Sequence, residues 1–390
     1  MAKRTSTAQV EDELNAESVA EYLASIPDPR KERTRLHSLK DILVLSLCAI
    51  ICGADGFVAI EEFGIQKQVW LKTFLDLPNG IPSHDTIGRV LAALNPKVLE
   101  AAFRGWMRAV AELTKGEVVA IDGKTLRRSF RRAGSGVFVH MVSAWATGNH
   151  VVLGQVKTEE KSNEITAIPE LLELLFLKGC IVTIDAMGCQ KEIAAKIIEQ
   201  GADYCLTVKE NQPTLREDLV HTFDAGRADA DLLAEMSYSE THDKKHGRVE
   251  VRRCWTTSNI GAVSQAEQWK GLQSLGLIEL ERTVNGVTSR EQRYFISSCS
   301  DFSAKKALKT VRAHWGIENG LHWVLDVAFR EDDCRIRAGN AAENFAVLRH
   351  AALNLLKNAP GRKVGIKIRR LRAGWDTDYL TQVLAAFAAD

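Results

Sequence analysis

The stretch Val-Val-Ala-Ile-Asp-Gly-Lys at residues 118–124 runs from apolar, β-branched residues directly into an aspartate, Asp122. The stretch Ile-Val-Thr-Ile-Asp-Ala-Met at residues 181–187 has the same arrangement and places Asp185 after its apolar run. Short runs of this kind are typical of buried strands. A carboxylate directly after such a strand projects from the sheet edge, where its oxygens suit a hard divalent cation. Either aspartate alone could instead be an N-cap or a turn residue.

The surrounding sequence predicts a sheet with helical crossovers. Three segments rich in β-branched residues, at 117–121, 137–146 and 151–156, predict an antiparallel meander. Further elements follow as helix, strand, helix and strand, at residues 165–177, 181–184, 191–199 and 204–208. In this βββαβαβ order we expect the first and fourth strands to lie side by side. Asp122 and Asp185 would then lie close enough to share metal ions.

We expect five regions along the chain. Residues 1–112 have the apolar periodicity of helices, and Ser83 is a good N-cap for a helix that begins at His84. This helix and the one before it could form a DNA-binding helix-turn-helix, although any two packed helices give the same pattern. The other regions are the first part of an α/β core, a β-rich insertion with an Asn-Gly hairpin turn, a helical segment and a basic tail, at residues 113–214, 215–302, 303–360 and 361–390.

Composition excludes several classes of protein. Hydrophobic residues make up 45% of the 390 residues, which excludes a disordered chain. The 51 basic and 50 acidic residues nearly cancel, so any binding of nucleic acid must depend on local clusters of charge. The longest apolar run, residues 42–51, is too short to span a membrane. We therefore expect a cytoplasmic protein with no membrane partner, whose eight scattered cysteines are reduced thiols.

A third carboxylate is expected from the helix after the insertion, which contains His-Trp-Gly-Ile-Glu-Asn-Gly-Leu-His-Trp at residues 314–323. A polar residue recurs there at every fourth position, at His314, Glu318, His322 and Asp326. Gly316 and Gly320 each cost about 1 kcal/mol relative to alanine inside a helix. Close approach of a nucleic-acid backbone or of a packed helix would explain both glycines. Glu318 is the candidate that completes the site.

The order Asp122, Asp185, Glu318 resembles that of the DDE transposases with a ribonuclease H-like fold, in particular the bacterial insertion-sequence branch with a β insertion before the glutamate. Local motifs resemble the ISAs-type, H-repeat-associated transposases over roughly residues 20–360. These motifs are Asp-Pro-Arg at 28–30, Cys-Gly-Ala-Asp at 52–55, Pro-Ser-His-Asp-Thr at 82–86, Ile-Asp-Gly-Lys at 121–124, Val-Lys-Glu-Asn-Gln at 208–212 and His-Trp-Gly-Ile-Glu-Asn-Gly-Leu-His-Trp-Val-Leu-Asp-Val at 314–327.

The resemblance implies an α/β fold: a ribonuclease H-like catalytic core with a β-rich insertion before the last catalytic helix, preceded by an all-helical N-terminal domain. It implies that Asp122, Asp185 and Glu318 hold two Mg²⁺ or Mn²⁺ ions and catalyse DNA cleavage and strand transfer. The implied partners are the terminal inverted repeats of the element, target DNA and a second subunit in a homodimeric synaptic complex.

One departure concerns the cations expected near Glu318. The wider class has a Tyr, an Arg and a Lys at offsets that fall here on Val311, His314 and Leu325. We infer that the nearest substitutes contact DNA, namely Arg312, His314, Arg335 and Arg337. A basic cluster after Asp122 is also expected to bind phosphates, although it could be a solvated turn, and it contains Lys124, Arg127, Arg128, Arg131 and Arg132. The tail adds Arg362, Lys363, Lys367, Arg369, Arg370 and Arg372.

Two alternatives remain open. His314, Glu318 and His322 could bind Zn²⁺ in a hydrolase that does not act on DNA, although the two histidines are eight residues apart and the aspartates would then have no role. The chain could also be a non-catalytic DNA-binding protein derived from a transposase, but all three carboxylates are present.

Overall fold

The computed structural model describes residues 19–110, 116–126, 139–158, 164–245 and 247–387. The first of these ranges is helical, with α1 to α5 at Val19–Ala24, Leu39–Ile51, Phe57–Leu71, His84–Ala93 and Pro96–Val110. Ser83 caps α4 by accepting a hydrogen bond from the backbone N–H of Thr86, as predicted. Twelve residues separate α3 from α4, and this connection is longer than the three to four residues of a helix-turn-helix.

The described residues after this region contain one nine-stranded sheet. Strands β1 to β9 are Val118–Leu126, Val139–Ala146, Val151–Lys157, Ile181–Ile184, Asp203–Val208, Ser237–Lys245, Arg248–Thr257, Ser274–Val284 and Val287–Ser297. Their spatial order is β3-β2-β1-β4-β5-β9-β8-β7-β6. Strands β1, β4 and β5 are parallel to one another, and the other neighbouring pairs are antiparallel. The fold is therefore mixed α/β with an N-terminal helical region.

The remaining helices lie between and after the strands. Helices α6 to α14 are Glu164–Leu174, Lys191–Glu199, Pro213–Ala228, Ala230–Ala234, Ala304–His314, Trp323–Phe329, Ala341–Asn358, Ile366–Trp375 and Thr377–Leu384. Helix α10 contacts one face of the sheet at β1, β4, β6, β7 and β8. Between α10 and α11, residues Glu318–His322 form a π-helix.

The predicted meander and the side-by-side placement of the first and fourth strands are confirmed. The Asn285-Gly286 hairpin is also confirmed, with positive φ at both residues as a type I′ turn requires. One further local prediction was confirmed and one was wrong. The charged, helix-like start of the segment after residue 215 lies in α8, Pro213–Ala228, while residues 237–245 form β6 at the sheet edge, where charged side chains reach solvent. The helix predicted to run unbroken from Ser303 to Phe329 contains the π-helix.

The N-terminal helices and the later part of the chain share one hydrophobic core. Helix α2 is buried along almost its whole length and packs against α12. Asn354 of α12 makes two hydrogen bonds to the backbone of Val152 in β3, and Asn344 donates to the carbonyl of Leu91 in α4. Helix α12 therefore fastens the helical region to the sheet. Among the described residues, none of the helices has the length and apolarity needed to cross a membrane.

Candidate active site

Asp122 and Asp185 lie next to each other where the pairing of β1 with β4 ends. Asp185 follows β4, but the expectation that Asp122 follows its strand was wrong, because β1 continues to Leu126 in its pairing with β2. The parallel register of β1 and β4 pairs Val118 with Ile181 and ends with Ile121 opposite Ile184. Each aspartate is the residue that follows this last pair. Side chains at equivalent positions of parallel neighbours point to the same face of a sheet. The two carboxylates therefore lie on one face at one edge, as the sequence predicted.

Asp122 is partly buried and surrounded by negative charge. Its Oδ1 accepts a hydrogen bond of 2.9 Å from the backbone N–H of Gly123. The pKa of Asp122 is raised to about 7. Burial is the largest cause, and the carboxylates of Glu164, Asp185 and Glu318 add to it against the effect of that hydrogen bond. All three of these carboxylates are thus close enough to Asp122 to repel its charge.

Asp185 has two structural roles. It follows β4 at the sheet edge, and it also caps the short 3₁₀ turn Ala186–Gly188. Its Oδ1 accepts hydrogen bonds from the backbone N–H groups of Met187 at 3.0 Å and Gly188 at 3.4 Å. These capping bonds fix the orientation of the Asp185 carboxylate at the carboxyl end of β4. The N-cap alternative and the sheet-edge interpretation are therefore compatible.

Glu318 is exposed and is the first residue of the π-helix. Such segments are rare and occur frequently at functional sites. The other polar residues of the four-residue repeat point at the sheet or its loops. His314 Nδ1 lies 3.0 Å from Thr183 Oγ1, His322 Nδ1 lies 3.5 Å from Asp122 Oδ2, and Asp326 Oδ1 lies 2.7 Å from Lys124 Nζ. The repeat therefore orients the helix over the strand ends.

The two histidines of this repeat are held neutral. Burial lowers the pKa of His314, and burial together with the charge of Lys124 lowers the pKa of His322 to about 4. At neutral pH His322 can therefore face Asp122 as an uncharged imidazole. It orients that carboxylate without neutralising its charge.

Packing against the indole of Trp145 in β2 explains Gly320, whereas the space around Gly316 would accept a Cβ. A Cβ on Gly320 would lie 3.1 Å from Trp145 Cζ2, and one on Gly316 would lie 3.8 Å from Trp145 Nε1. Trp145 is fully buried. The sequence left open the approach of a nucleic-acid backbone or of a packed helix. The structure shows an approach by protein, but the neighbour is a residue of a strand and not a second helix.

A fourth carboxylate beside Asp122 was not predicted. Glu164, the first residue of α6, lies 2.8 Å from His140 Nε2, and His140 in turn lies 2.8 Å from Thr125 Oγ1. A Cβ on Gly123 would overlap the ends of the Glu164 and His140 side chains, so a larger residue there would displace this pair. Glu164 follows no strand, and only its position as an acid in the first turn of a helix distinguishes it in the sequence.

Lys124 differs from the expected phosphate contact because it points into the protein. Its Nζ lies 2.7 Å from Asp326, 3.0 Å from Glu331 and 3.3 Å from Asp332. Burial alone would lower the pKa of Lys124, but these carboxylates outweigh it and keep the pKa above its ordinary value. Glu331 is buried and also pairs with the buried Arg349 at 3.7 Å. Lys124 therefore ties β1 to the segment that follows the π-helix.

The other cations predicted to contact DNA differ in exposure and in their ion pairs. Arg312 is half exposed and pairs with Asp243 of β6 at 2.9 Å. Arg335 is exposed and has no ion-pair partner within the described ranges, and Arg337 is partly buried. The remaining members of the cluster after Asp122 lie outside the described residues, namely Arg127, Arg128, Arg131 and Arg132.

Part of the basic tail has a structural role. Arg370 is buried, donates to the carbonyls of Ile50 and Ala328, and stacks 4.2 Å from the ring of Phe329. Arg369 donates to backbone carbonyls at the end of α12. The tail residues that remain exposed are Arg362, Lys363 and Lys367.

The donor chemistry at this edge fits a divalent cation. Asp122, Asp185 and Glu318 offer only oxygen donors, the ligand type that Mg²⁺ and Mn²⁺ prefer. The raised pKa of Asp122 reflects negative charge that such a cation would offset. Within the part of the chain that the structure describes, however, no three His, Cys, Asp or Glu side chains are grouped closely enough to hold a metal ion. This also applies to the His314, Glu318 and His322 set of the zinc alternative.

We expect Asp122→Asn to stabilise the metal-free protein at alkaline pH. Because the pKa of Asp122 rises from 3.8 to about 7 on folding, the folded chain binds more protons than the unfolded chain between those values. The free energy of unfolding of the wild type therefore falls as pH rises through this window. Above pH 7 the asparagine variant should be more stable by roughly 2–4 kcal/mol.

Urea unfolding with EDTA at pH 4.5 and pH 8 measures this effect. The difference between variant and wild type should be small at pH 4.5 and large at pH 8, and other titrating groups cancel in the comparison. An equal difference at both pH values would show that folding does not raise the pKa of Asp122.

Comparison with known proteins places the chain in a family. Residues 113–355 match the transposase DDE domain, and residues 20–107 match the region described as DDE_Tnp_1-associated. The chain belongs to the DDE transposase family.

Full-length relatives support the assignment to this family. The chain is 44% identical over 385 residues to the Escherichia coli O157:H7 protein named "Putative transposase YncI", covering 96% of each chain. It is 42% identical over 379 residues to the "H repeat-associated putative transposase YhhI" of E. coli K12, covering 95% of this chain and 99% of the relative. The similarity to H-repeat-associated transposases inferred from the motifs is confirmed.

Proposed function

We propose that this protein is an active transposase that cleaves DNA at the ends of an element and joins them to target DNA, using Asp122, Asp185 and Glu318. The observation that carries the proposal is the placement of two aspartates side by side where the parallel pairing of β1 and β4 ends, with Glu318 near enough to raise the pKa of Asp122. Metal-dependent phosphoryl transfer needs such oxygen ligands around the scissile phosphate.

The topology supports a ribonuclease H-like core for this reaction. Within the nine-stranded sheet, the first five strands have the order 3-2-1-4-5, with β2 antiparallel to β1 and with β4 and β5 parallel to it. Strands β6 to β9 lie between β5 and the helix that carries Glu318. This is the position at which the family resemblance places a β-rich insertion.

Each residue of the site has a distinct task in the proposed reaction. Asp122, Asp185 and Glu318 would hold Mg²⁺ or Mn²⁺, as two ions. The bound cations would supply Lewis-acid stabilisation of the attacking and leaving oxygens in an in-line displacement. His322 orients Asp122 from the helix side, and Lys124 fixes the segment after the π-helix to β1. Asp185 is held by its two capping bonds.

The partners that this function requires are terminal inverted repeats, target DNA and a second subunit that completes a homodimeric synaptic complex. Arg312, His314, Arg335 and Arg337 remain candidate DNA contacts, together with Arg127 and Arg128. Of these, Arg335 is exposed without an ion pair inside the described ranges and can accept a phosphate without breaking an existing interaction. The helical region and the exposed tail residues would add contacts outside the site.

The test is a cleavage assay with the full chain and labelled duplexes that carry the ends of the element. We expect nicking at the ends with Mg²⁺ or Mn²⁺ and none with EDTA. Binding of the same duplexes without cleavage under every metal condition would overturn the proposal in favour of a non-catalytic DNA-binding protein. Specific binding of Zn²⁺ in a metal titration, with neither binding nor cleavage of the duplexes, would favour the zinc alternative.

A further inference from the structure

Two cations that the sequence did not single out lie side by side next to the candidate active site. Strand β5 pairs with β9 so that Val208 is opposite Tyr294, and Lys209 is therefore next to Arg293. Side chains alternate along both strands. Cys205 and Phe295 belong to the cluster packed under α10, so Lys209 and Arg293, at even spacing from them, are on that same face. This is also the face over which the helix with Glu318 lies.

Arg293 is held against the start of the Glu318 helix. Its guanidinium lies 4.5 Å from the ring centroid of Trp315, three residues before Glu318. A cation stacked on an indole face gains electrostatic attraction while its edge stays free to donate hydrogen bonds. The charge of Arg293 lowers the pKa of His314, and the charge of Asp185 raises it. The Arg293 guanidinium and the Asp185 carboxylate thus lie on the same side of the sheet edge.

Lys209 is exposed and rigidly placed relative to Asp185. The loop that follows it is fastened to the loop after β4, because Asn211 Nδ2 donates to the carbonyl of Ala186 at 2.7 Å and Gln212 Nε2 donates to that of Cys189 at 2.9 Å. Lys209 has no ion-pair partner within 4 Å among the residues that the structure describes. The motif at residues 208–212 therefore positions a cation beside the second aspartate.

The acids around these two cations do not satisfy both of them. Glu291, two residues from Arg293 on the same face, pairs with Arg293 at 2.7 Å, and its charge is also felt by Lys209. Glu210 is directed to Arg216 at 3.6 Å. Two like charges on neighbouring strands destabilise a sheet unless an anion lies between or over them. Lys209 and Arg293 carry two positive charges and share one exposed carboxylate, that of Glu291. One positive charge is therefore left to attract a second anion.

We propose that Lys209 and Arg293 bind a phosphate of the DNA strand that enters the site of Asp122, Asp185 and Glu318 from the side of β5. The inference rests on the proposed function. It supplies cations in place of the Arg and the Lys that the class keeps around the glutamate, at positions where this chain has His314 and Leu325. Glu291 accepts from Nε of Arg293 at 2.7 Å and from Nη2 at 3.0 Å. A phosphodiester fits because its oxygens can accept from the remaining donors of the stacked guanidinium, those of Nη1 above all, and from the Lys209 ammonium at once.

The salt dependence of DNA binding tests this proposal in the full chain. The probe is a fluorescent duplex of arbitrary sequence, since a phosphate contact is not sequence-specific. Lys209→Gln and Arg293→Gln should each lower the slope of log affinity against log salt by about 0.7–0.9. Between 50 and 200 mM salt, wild-type affinity should thus fall about threefold to fourfold more than that of either variant.

Two further variants separate a phosphate contact from a structural effect. Arg293→Lys keeps the charge and should keep the wild-type slope even if the loss of stacking on Trp315 weakens binding overall. Lys178→Gln removes an exposed lysine before β4, at the opposite edge of the sheet, and should change nothing. Wild-type slopes in both Lys209→Gln and Arg293→Gln would overturn the proposal.

This outcome is distinguishable from failure of the proposed function. An unchanged slope in the glutamine variants, with cleavage by the wild type intact, removes the phosphate site and leaves the transposase activity. Lowered slopes in a chain that cleaves nothing support the phosphate site and remove the proposed catalysis.

Discussion

Replacing Asp185 by asparagine is expected to abolish strand cleavage while DNA binding continues. The amide oxygen of asparagine can still accept the capping bonds from Met187 and Gly188, because Asn is as good an N-cap as Asp. The variant loses the negative charge that a divalent cation requires. Since metal stabilisation of developing charge is worth several kcal/mol, we expect a loss of about a thousandfold or more in cleavage rate.

The measurement is single-turnover cleavage of labelled element ends, with gel-shift affinity determined on the same preparations. Asp301→Asn is the matched control, because Asp301 is exposed in the turn before α10, at the other end of that helix from the site. The control should cleave at the wild-type rate. Retained cleavage in Asp185→Asn would place the chemistry elsewhere in the chain.

A large loss of stability is expected for Lys124→Met. Methionine fills a similar volume but leaves the buried Glu331 and the partly buried Asp326 without their shared cation. Breaking a buried ion pair from one side costs about 3–5 kcal/mol, because the remaining charge stays desolvated. Arg349 still pairs with Glu331, so we expect the lower half of that range. Urea unfolding monitored by circular dichroism measures this loss.

Lys270→Met is the matched control for that experiment. Lys270 pairs with Glu199 at 3.1 Å, and the two side chains are 51% and 53% exposed. Surface pairs of this kind contribute roughly 0–1 kcal/mol. A similar small loss in both variants would indicate that Lys124 is solvated in solution, in which case it would be free to contact a phosphate as the sequence suggested.

The strand ends could be predicted from the sequence because their signal is local. A β-branched run that stops at an aspartate gives both the strand and the position of the carboxylate, and the βββαβαβ order then gives the neighbouring strand. Asp185 was placed correctly for this reason, and the two aspartates were correctly placed side by side. The predicted end of the first strand before Asp122 was wrong, because β1 continues to Leu126. The π-helix at Glu318–His322 has no comparable local pattern, and its contact with Trp145 comes from a distant strand.

The charged residues near the site were harder to predict. Lys124 belongs to a run of cations, yet its partners Asp326 and Glu331 are about 200 residues away in the sequence, so its burial depends on the tertiary fold. Arg293 and Lys209 meet only because β9 returns to pair with β5 after an insertion of about 80 residues. Such contacts between distant segments leave no periodic pattern in a single sequence.

The shared core also affects whether the helical region can be tested for DNA binding as a separate fragment. Helix α2 has a mostly buried surface, and much of it packs against α12. A fragment that ends near residue 112 would expose this apolar face to water, which favours aggregation over folding. Contributions of the N-terminal helices to DNA binding are therefore better measured by surface substitutions in the full chain.

The most direct test of the central claim is the position of Mn²⁺ in crystals of the protein bound to an element end, located by anomalous diffraction. The account predicts Mn²⁺ within about 2.0–2.6 Å of carboxylate oxygens of Asp122, Asp185 and Glu318, next to the scissile phosphate. Mn²⁺ bound at another group of residues, with these three carboxylates free of metal, would contradict it.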